Sequence, residues 1–279
     1  MTTTVDTAPS GRALSAEELR LQKQRRRDRI SRISWRIAGY VVVLSSWELA
    51  SGTILNERLY PAPTKILATF GEIWASGRLP ESFAATLTRL GIGFSLAFVL
   101  GALIGLVTQA RWWEGFFKDS ILVSLTAPGL VWALTGIIIW GFDAQGWIFA
   151  IVMTTFGLVS VNVAAGIKAL PKDLLDMAKA FRVGTLTRQR EIVIPHLAPF
   201  LFTAVRYGFS VGWKVTVLTE LFTANKGIGF EMRVATQLFR LDEFFTWVLS
   251  FFVFALFLEK VVLQYFERRF FRWRPEVTA

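Results

Sequence analysis

Apolar and polar positions along this chain fall into long alternating blocks. A helix needs about 20 mainly apolar residues to cross the hydrocarbon layer of a membrane. Runs of that length lie at roughly 33–53, 83–107, 121–140, 147–167, 197–222 and 244–266. The pattern predicts an all-α membrane protein with six transmembrane helices. Too few polar-faced helices remain to bury these runs in a water-soluble core, which excludes a soluble globular fold. The chain then divides into a basic N-terminal tail (1–32), a transmembrane domain (33–266) holding a polar interval at 168–196, and a C-terminal tail (267–279).

That polar interval is the longest between two apolar blocks. From Asp173 to Phe181 the apolar residues Leu174, Leu175, Ala178 and Phe181 recur at helical spacing behind Pro171, a start signal. Pro195 and Pro199 punctuate the entry into the fifth run. The spacing predicts a short amphipathic helix on one membrane face, loaded by Lys168, Lys172, Lys179, Arg182, Arg188 and Arg190. It has the character of a docking surface. Basic residues favour the cytoplasmic side of a membrane. The polar interval, the predicted loop 109–119 and both tails fall on one side of a six-span chain, and that side carries most of the positive charge. Both termini are therefore expected in the cytoplasm, with the chain a multi-pass protein of the cell inner membrane.

Charge and composition narrow the chemistry. The net charge is +10, with no cysteine and one histidine among 279 residues. Disulfides and thiolate metal sites are excluded. The tail helix expected over 14–33, with Arg20, Lys23, Arg25, Arg26, Arg27, Arg29 and Arg32, reads as an orienting segment beside anionic headgroups. No aromatic residue interleaves these bases before Trp35, so no nucleic-acid partner is expected. The charged stretch before the first apolar block is too long for a cleaved signal peptide. His196 has no second histidine to share a metal, and no phosphate-cradling Gly-x-x-x-x-Gly-Lys-Ser/Thr loop occurs. No nucleophile–base pair is legible, so no metal, no cofactor and no catalytic residue is expected in this chain.

Several residues inside the runs stand out. Gly101 and Gly105 in the second run, and Gly208 and Gly212 in the fifth, are spaced to let another helix approach closely. Pro128-Gly129 should bend the third. Lys214 lies near the middle of the fifth run, where an ionisable group must be paired or face water. With Ser210 and Trp213 it would line a polar passage attractive to an anion; the alternative is an internal ion pair with Glu48 or Glu220. Asn162 either contacts solute or hydrogen-bonds another helix. Tyr60-Pro-Ala-Pro is an outer connector, followed by a short helix over 64–75.

The polar interval also carries a resemblance. Asp176-Met177-Ala178, Arg182 after three intervening residues, and Ile192-Val193-Ile194-Pro195 match the spacing of the Glu-Ala-Ala…Gly…Ile-x-Leu-Pro loop of permease subunits in binding-protein-dependent (type I) ABC importers. The likeness extends over about 60–274 and is nearest to sulfonate, taurine and nitrate permeases. Arg182 stands where that family has glycine, with Gly184 nearby as a substitute for the turn. The resemblance implies a type I importer fold with a cytoplasmic coupling helix. Asp173, Asp176, Met177, Ala178, Lys179, Phe181, Arg182, Gly184, Ile192 and Pro195 would then contact the ATPase. Trp213 and Glu220 match positions where the family often has Trp and Glu, whereas Lys214 is not a general family feature; with Ser210, Lys214 and Asn162, read from the residues themselves, they would line the pathway. The implied partners are two ABC ATPase subunits that bind ATP and Mg, a second permease copy in a homodimer, an external solute-binding protein and the lipid membrane. The solute would be small, organic and anionic. Other functions weighed are an ATPase-independent secondary transporter or channel, and a membrane anchor without transport.

Overall fold

A computed structural model describes residues 16–54, 56–265 and 269. The N-terminal residues 1–15 and most of the C-terminal tail, including Arg268, Arg272 and Arg274, lie outside the described residues. By compactness the chain divides into two units, 1–64 and 65–279. In the first, α1 (Ala16–Ala50) is one continuous helix that joins the basic segment to the first apolar run. At its end, the Glu48 carboxylate accepts hydrogen bonds from the Thr64 backbone N–H (3.2 Å) and hydroxyl (2.7 Å). Ser51 donates to the Tyr60 carbonyl at 2.7 Å.

The second unit contains α2 (Pro63–Ala75, whose first two residues belong to the first unit), α3 (Arg78–Val107), α4 (Arg111–Thr126), α5 (Gly129–Trp140) and α6 (Ala144–Lys168). After these come α7 (Lys172–Ala180), α8 (Thr185–Arg188), a π-helical turn (Gln189–Val193), α9 (Ile194–Thr223), α10 (Ile228–Gln237), α11 (Leu241–Phe257) and a second π-helical turn (Leu258–Leu263). Every regular element among the described residues is helical.

Small residues hold the centre together. Leu90, Gly93, Ala97, Gly101 and Gly105 lie buried along one face of α3. A Cβ on Gly101 would stand 2.7 Å from that of Val159, and one on Gly105 2.7 Å from the Ser160 carbonyl. The Ser160 hydroxyl donates to the Gly101 carbonyl at 3.0 Å, so the two backbones are nearly in contact. Gly93 meets Ile151, and Gly105 meets Val163. Position numbers rise together, so α3 and α6 run parallel. By the same reading α9 is antiparallel to both: Gly166 packs on Leu197 and Phe200, Gly208 on Phe94 and Val159, Gly212 on Leu90 and Thr155. Both expected glycine pairs thus serve packing inside one chain.

Helix α11 runs back along α9, with Trp213 against Phe251 and Phe254 and Arg206 against Glu259. Trp213, Trp247, Leu90, Met232 and Ile228 form the largest buried apolar cluster. Between α3 and α6, helices α4 and α5 meet α6 at successive levels. Glu114 reaches Lys168, Ser124 bonds the Met153 carbonyl, Ala133 packs with Ala150, and Gly136 abuts Gly146.

Two expectations change. Four helices are long and apolar enough to cross a membrane: Arg78–Val107, Ala144–Lys168, the composite Thr185–Thr223, and Leu241–Val261. The third predicted span is two helices at 104° to one another rather than a bent rod, and counts as a fifth traverse only when the two halves are taken together. Pro128 has no N–H to continue the ladder, and the Ser124 hydroxyl bridges to α6 just before the break. Helix α1 falls short of the same apolarity, with Arg36 and Glu48 bounding its apolar stretch. The loop expected at 109–119 is the start of α4, where Trp113 stacks on Phe117 and Phe116 meets both edge-on.

This topology defines two ends. One holds the 108–110 turn, α7 and α8. The opposite end holds 141–143, α10 and the connection 224–227.

Candidate functional site

At the first end, α7 stands away from the bundle. Ala178 is its one buried residue, 1% exposed. Asp173, Asp176, Met177 and Lys179 are exposed, and Phe181 is 78% exposed. Leu174, Met177, Phe181 and Leu186 therefore present apolar surface among charges. Lys179 pairs with Asp176 at 2.9 Å and Lys168 with Glu114 at 3.0 Å. Lys172, Arg182, Arg188 and Arg190 have no ion pair among the described residues. Ile192 is half-buried and Pro195 exposed at the start of α9.

The helix ends in a tight cap. The Arg182 N–H donates to the Lys179 carbonyl (2.9 Å) and the Val183 N–H to the Ala178 carbonyl (2.8 Å). Such a closure needs its turning residue in the left-handed region. Arg182 occupies it, at φ 55°, while Gly184 has an ordinary φ of −57°. The turn thus falls at Arg182 itself, and Gly184 does not substitute for it. The conformation costs a side-chain-bearing residue roughly 1 kcal/mol.

The mid-span residues of α9 differ in environment. Trp213 is 2% exposed, stacked on Phe251 at 5.5 Å with an interplanar angle of 6°. It belongs to the core rather than to an open passage. Ser210 and Trp213 line one shallow recess with Phe209 and Glu259. Lys214 is exposed and makes no hydrogen bond or ion pair among the described residues. Neither carboxylate weighed for it is its partner, since Glu48 takes Thr64 and Glu220 takes Arg89. Gly212 packs beside Thr155, midway along α6, so Lys214 sits near the middle of the bundle's length. Asn162 donates to the Leu158 carbonyl of its own helix at 2.8 Å, not to a neighbouring helix.

At the opposite end lies a constellation the sequence pattern does not single out. Glu220 is 1% exposed and accepts from the Arg89 guanidinium (2.7 Å), the Thr86 hydroxyl (2.9 Å) and the Gly229 N–H (3.0 Å). Thr86 also accepts from the Ile228 N–H at 3.0 Å. Arg89 further donates to the Lys226 carbonyl. The connection 226–229 wraps the carboxylate so closely that a Cβ at Gly227, with φ 117°, would collide with it. Beside this clamp opens a cavity of about 350 Å³ lined by Glu220 itself together with Arg89, Phe142, Trp147, Thr219, Thr223, Ala224 and Asn225. The basic residues here are mostly neutralised: Arg78 pairs with Glu231 and Glu243, Lys226 with Glu81, and Arg240 with Glu243. The two ends thus differ in net positive charge.

Comparison with known proteins gives a consistent set. Residues 78–272 match the family described as "Binding-protein-dependent transport system inner membrane component". The chain is 28% identical over 239 residues to the aliphatic sulfonates transport permease protein SsuC of Escherichia coli (strain K12), covering 84% of this chain and 90% of that protein. It is 26% identical over 200 residues to the nitrate import permease protein NrtB of Synechococcus elongatus, covering 68% and 71%. A chain from the crystal structure of an amino acid ABC transporter with histidines superposes with a TM-score of 0.59 at 17% identity, over 73% of this chain and 96% of that one. At that identity the likeness is one of fold alone.

Proposed function

The chain belongs to the family of binding-protein-dependent transport system inner membrane components, and on that premise we propose that it forms the translocation pathway of an ATP-driven importer for a small anionic organic solute. It does so by coupling to a cytoplasmic ATPase through α7. The observation that carries this reading is α7 itself, a short helix held by one buried alanine with apolar and unpaired basic side chains exposed around it. Asp173, Asp176, Met177, Lys179, Phe181 and Arg182 form the contact; Ala178 seats the helix, and Ile192 and Pro195 join it to α9. Two ATPase subunits supply ATP and Mg, an external binding protein delivers solute, and a second copy of this chain completes the pore. This chain makes no covalent chemistry of its own.

The excess of unpaired positive charge around α7 supports a cytoplasmic placement of that end. With α1 as the first of six traverses, α4–α5 as a broken third, and both termini cytoplasmic, the span count is even. Lys214 supports the pore reading. A cation near mid-bilayer costs about 2.5–3.5 kcal/mol on insertion scales when it faces lipid. A water-filled passage against a second copy removes that cost and gives anions an attractive wall. Relatives named for aliphatic sulfonates and for nitrate support the anionic character of that solute.

Asp176→Lys and Ala178→Trp test the coupling. Both are expected to leave membrane insertion normal while abolishing solute-stimulated ATP hydrolysis and co-purification with the ATPase. Wild-type transport by either variant would remove α7 from the coupling role and favour a transporter that needs no ATPase.

A further inference from the structure

The cavity beside the Glu220 clamp is a candidate ligand site that the coupling and pore assignments leave unused. Its volume of about 350 Å³ suits a small organic molecule. Its polar lining holds acceptors, the Glu220 carboxylate and the Thr219 and Thr223 hydroxyls that donate to the Thr216 and Thr219 carbonyls, beside three side chains with unfilled donors. Arg89 spends Nη1 on Glu220 and the Lys226 carbonyl, and its Nε and Nη2 make no hydrogen bond among the described residues. The Trp147 indole N–H and the Asn225 side chain likewise make none. The Glu220 carboxylate is buried and engaged by three donors, so it offers little to an incoming cation.

Electrostatics lean the same way. The carboxyl end of α9 would ordinarily present negative partial charge here. Arg233 removes it by donating to the Leu221, Phe222 and Ala224 carbonyls. Two guanidiniums therefore stand at the end of α9 against one buried carboxylate. A free guanidinium fork is the group best matched to a planar or trigonal set of oxygens. Phe142 and Trp147 add apolar wall for a short organic tail.

We propose that this cavity, at the end opposite α7, is a binding site for the oxoanion head of a small solute, with the unfilled Arg89 donors as its primary contact. It rests on the anion reading of the pathway and adds a place on it: a reception site at the outer mouth, separate from Lys214. Glu220 is its positioning residue. By holding Nη1 it aims the free edge of the guanidinium into the cavity.

The test uses the full chain in nanodiscs with ethanesulfonate as probe and the neutral isostere ethyl methyl sulfone as control, read by calorimetry. The wild type is expected to bind the sulfonate and not the sulfone. Arg89→Lys keeps the charge and the partner for Glu220 but loses the fork, and is expected to weaken binding about tenfold. Trp147→Phe keeps an aromatic wall but removes the N–H together with the indole's second ring, and is expected to weaken it severalfold. No sulfonate binding by the wild type, equal affinity for the sulfone, or affinities within twofold of wild type in both variants would each overturn the site. Uptake of ethanesulfonate by the assembled transporter, measured beside these, separates the two ideas. Continued uptake with an inert cavity refutes only the reception site, whereas a transporter that moves neutral solutes and no anions refutes the anion reading.

Discussion

Glu220→Gln is the most direct probe of the clamp at the end opposite α7. The change keeps the size of the side chain and removes its charge and one acceptor. Glu220 now satisfies a guanidinium at 2.7 Å, a hydroxyl at 2.9 Å and a backbone N–H at 3.0 Å. Its two oxygens divide the work: Oε1 faces Arg89, and Oε2 faces Thr86 and Gly229. An amide has one oxygen, so its NH₂ must point at donors on one side or the other. Breaking a buried pair by removing one partner costs about 3–5 kcal/mol, because the remaining charge is stranded. Arg89→Met should cost a similar amount by stranding Glu220. The double variant strands neither, so its destabilisation should fall below the sum of the singles by about 1–3 kcal/mol. Reversible unfolding of the full chain in mixed detergent micelles, followed by tryptophan fluorescence, gives all four corners of the cycle. Additivity within about 0.5 kcal/mol would show that the two groups act independently and would refute the clamp.

Two further outcomes are expected. Arg182→Gly should relieve the left-handed strain at the end of α7 by about 1 kcal/mol, read as roughly fivefold greater hydrogen-exchange protection of the Val183 amide; unchanged protection would contradict that reading of the cap. Lys214→Ala should lower uptake of an anionic solute severalfold while changing stability by less than about 0.5 kcal/mol, since no partner is lost. Lys214→Arg should retain uptake. Uptake by Lys214→Ala at the wild-type rate would take Lys214 off the pathway.

What could be read from the sequence follows the range of the interactions. Helix α7 is legible because its signal is local: apolar spacing over nine residues, flanked by prolines and charge. The long apolar helices are legible for the same reason. The Glu220 clamp is not, because Thr86 and Arg89 lie more than 130 positions away and nothing in either segment marks them as partners. Gly101 and Gly105 announce a close contact, but only the packed helices show that the partner is α6 and that Gly93 and Ala97 extend the stripe. Pro128-Gly129 signals a bend, yet the size of the break depends on Ser124 reaching across to α6. Trp213 and Lys214 are adjacent in the chain and opposite in fate. One-residue steps on a helix turn by 100°, so neighbours need not share an environment.

The interlock of α3 with α6 has a mechanical consequence. With glycine surfaces pressed against carbonyls along several turns, neither rod has clearance to slip past the other. Lys168, the last residue of α6, lies four residues before the start of α7, so a displacement delivered to that short helix reaches a stiff double beam rather than a yielding one. Any bending during a transport stroke is then left to the joints outside the beam: the sharp corner at Pro128 and the over-wide turns at 189–193 and 258–263.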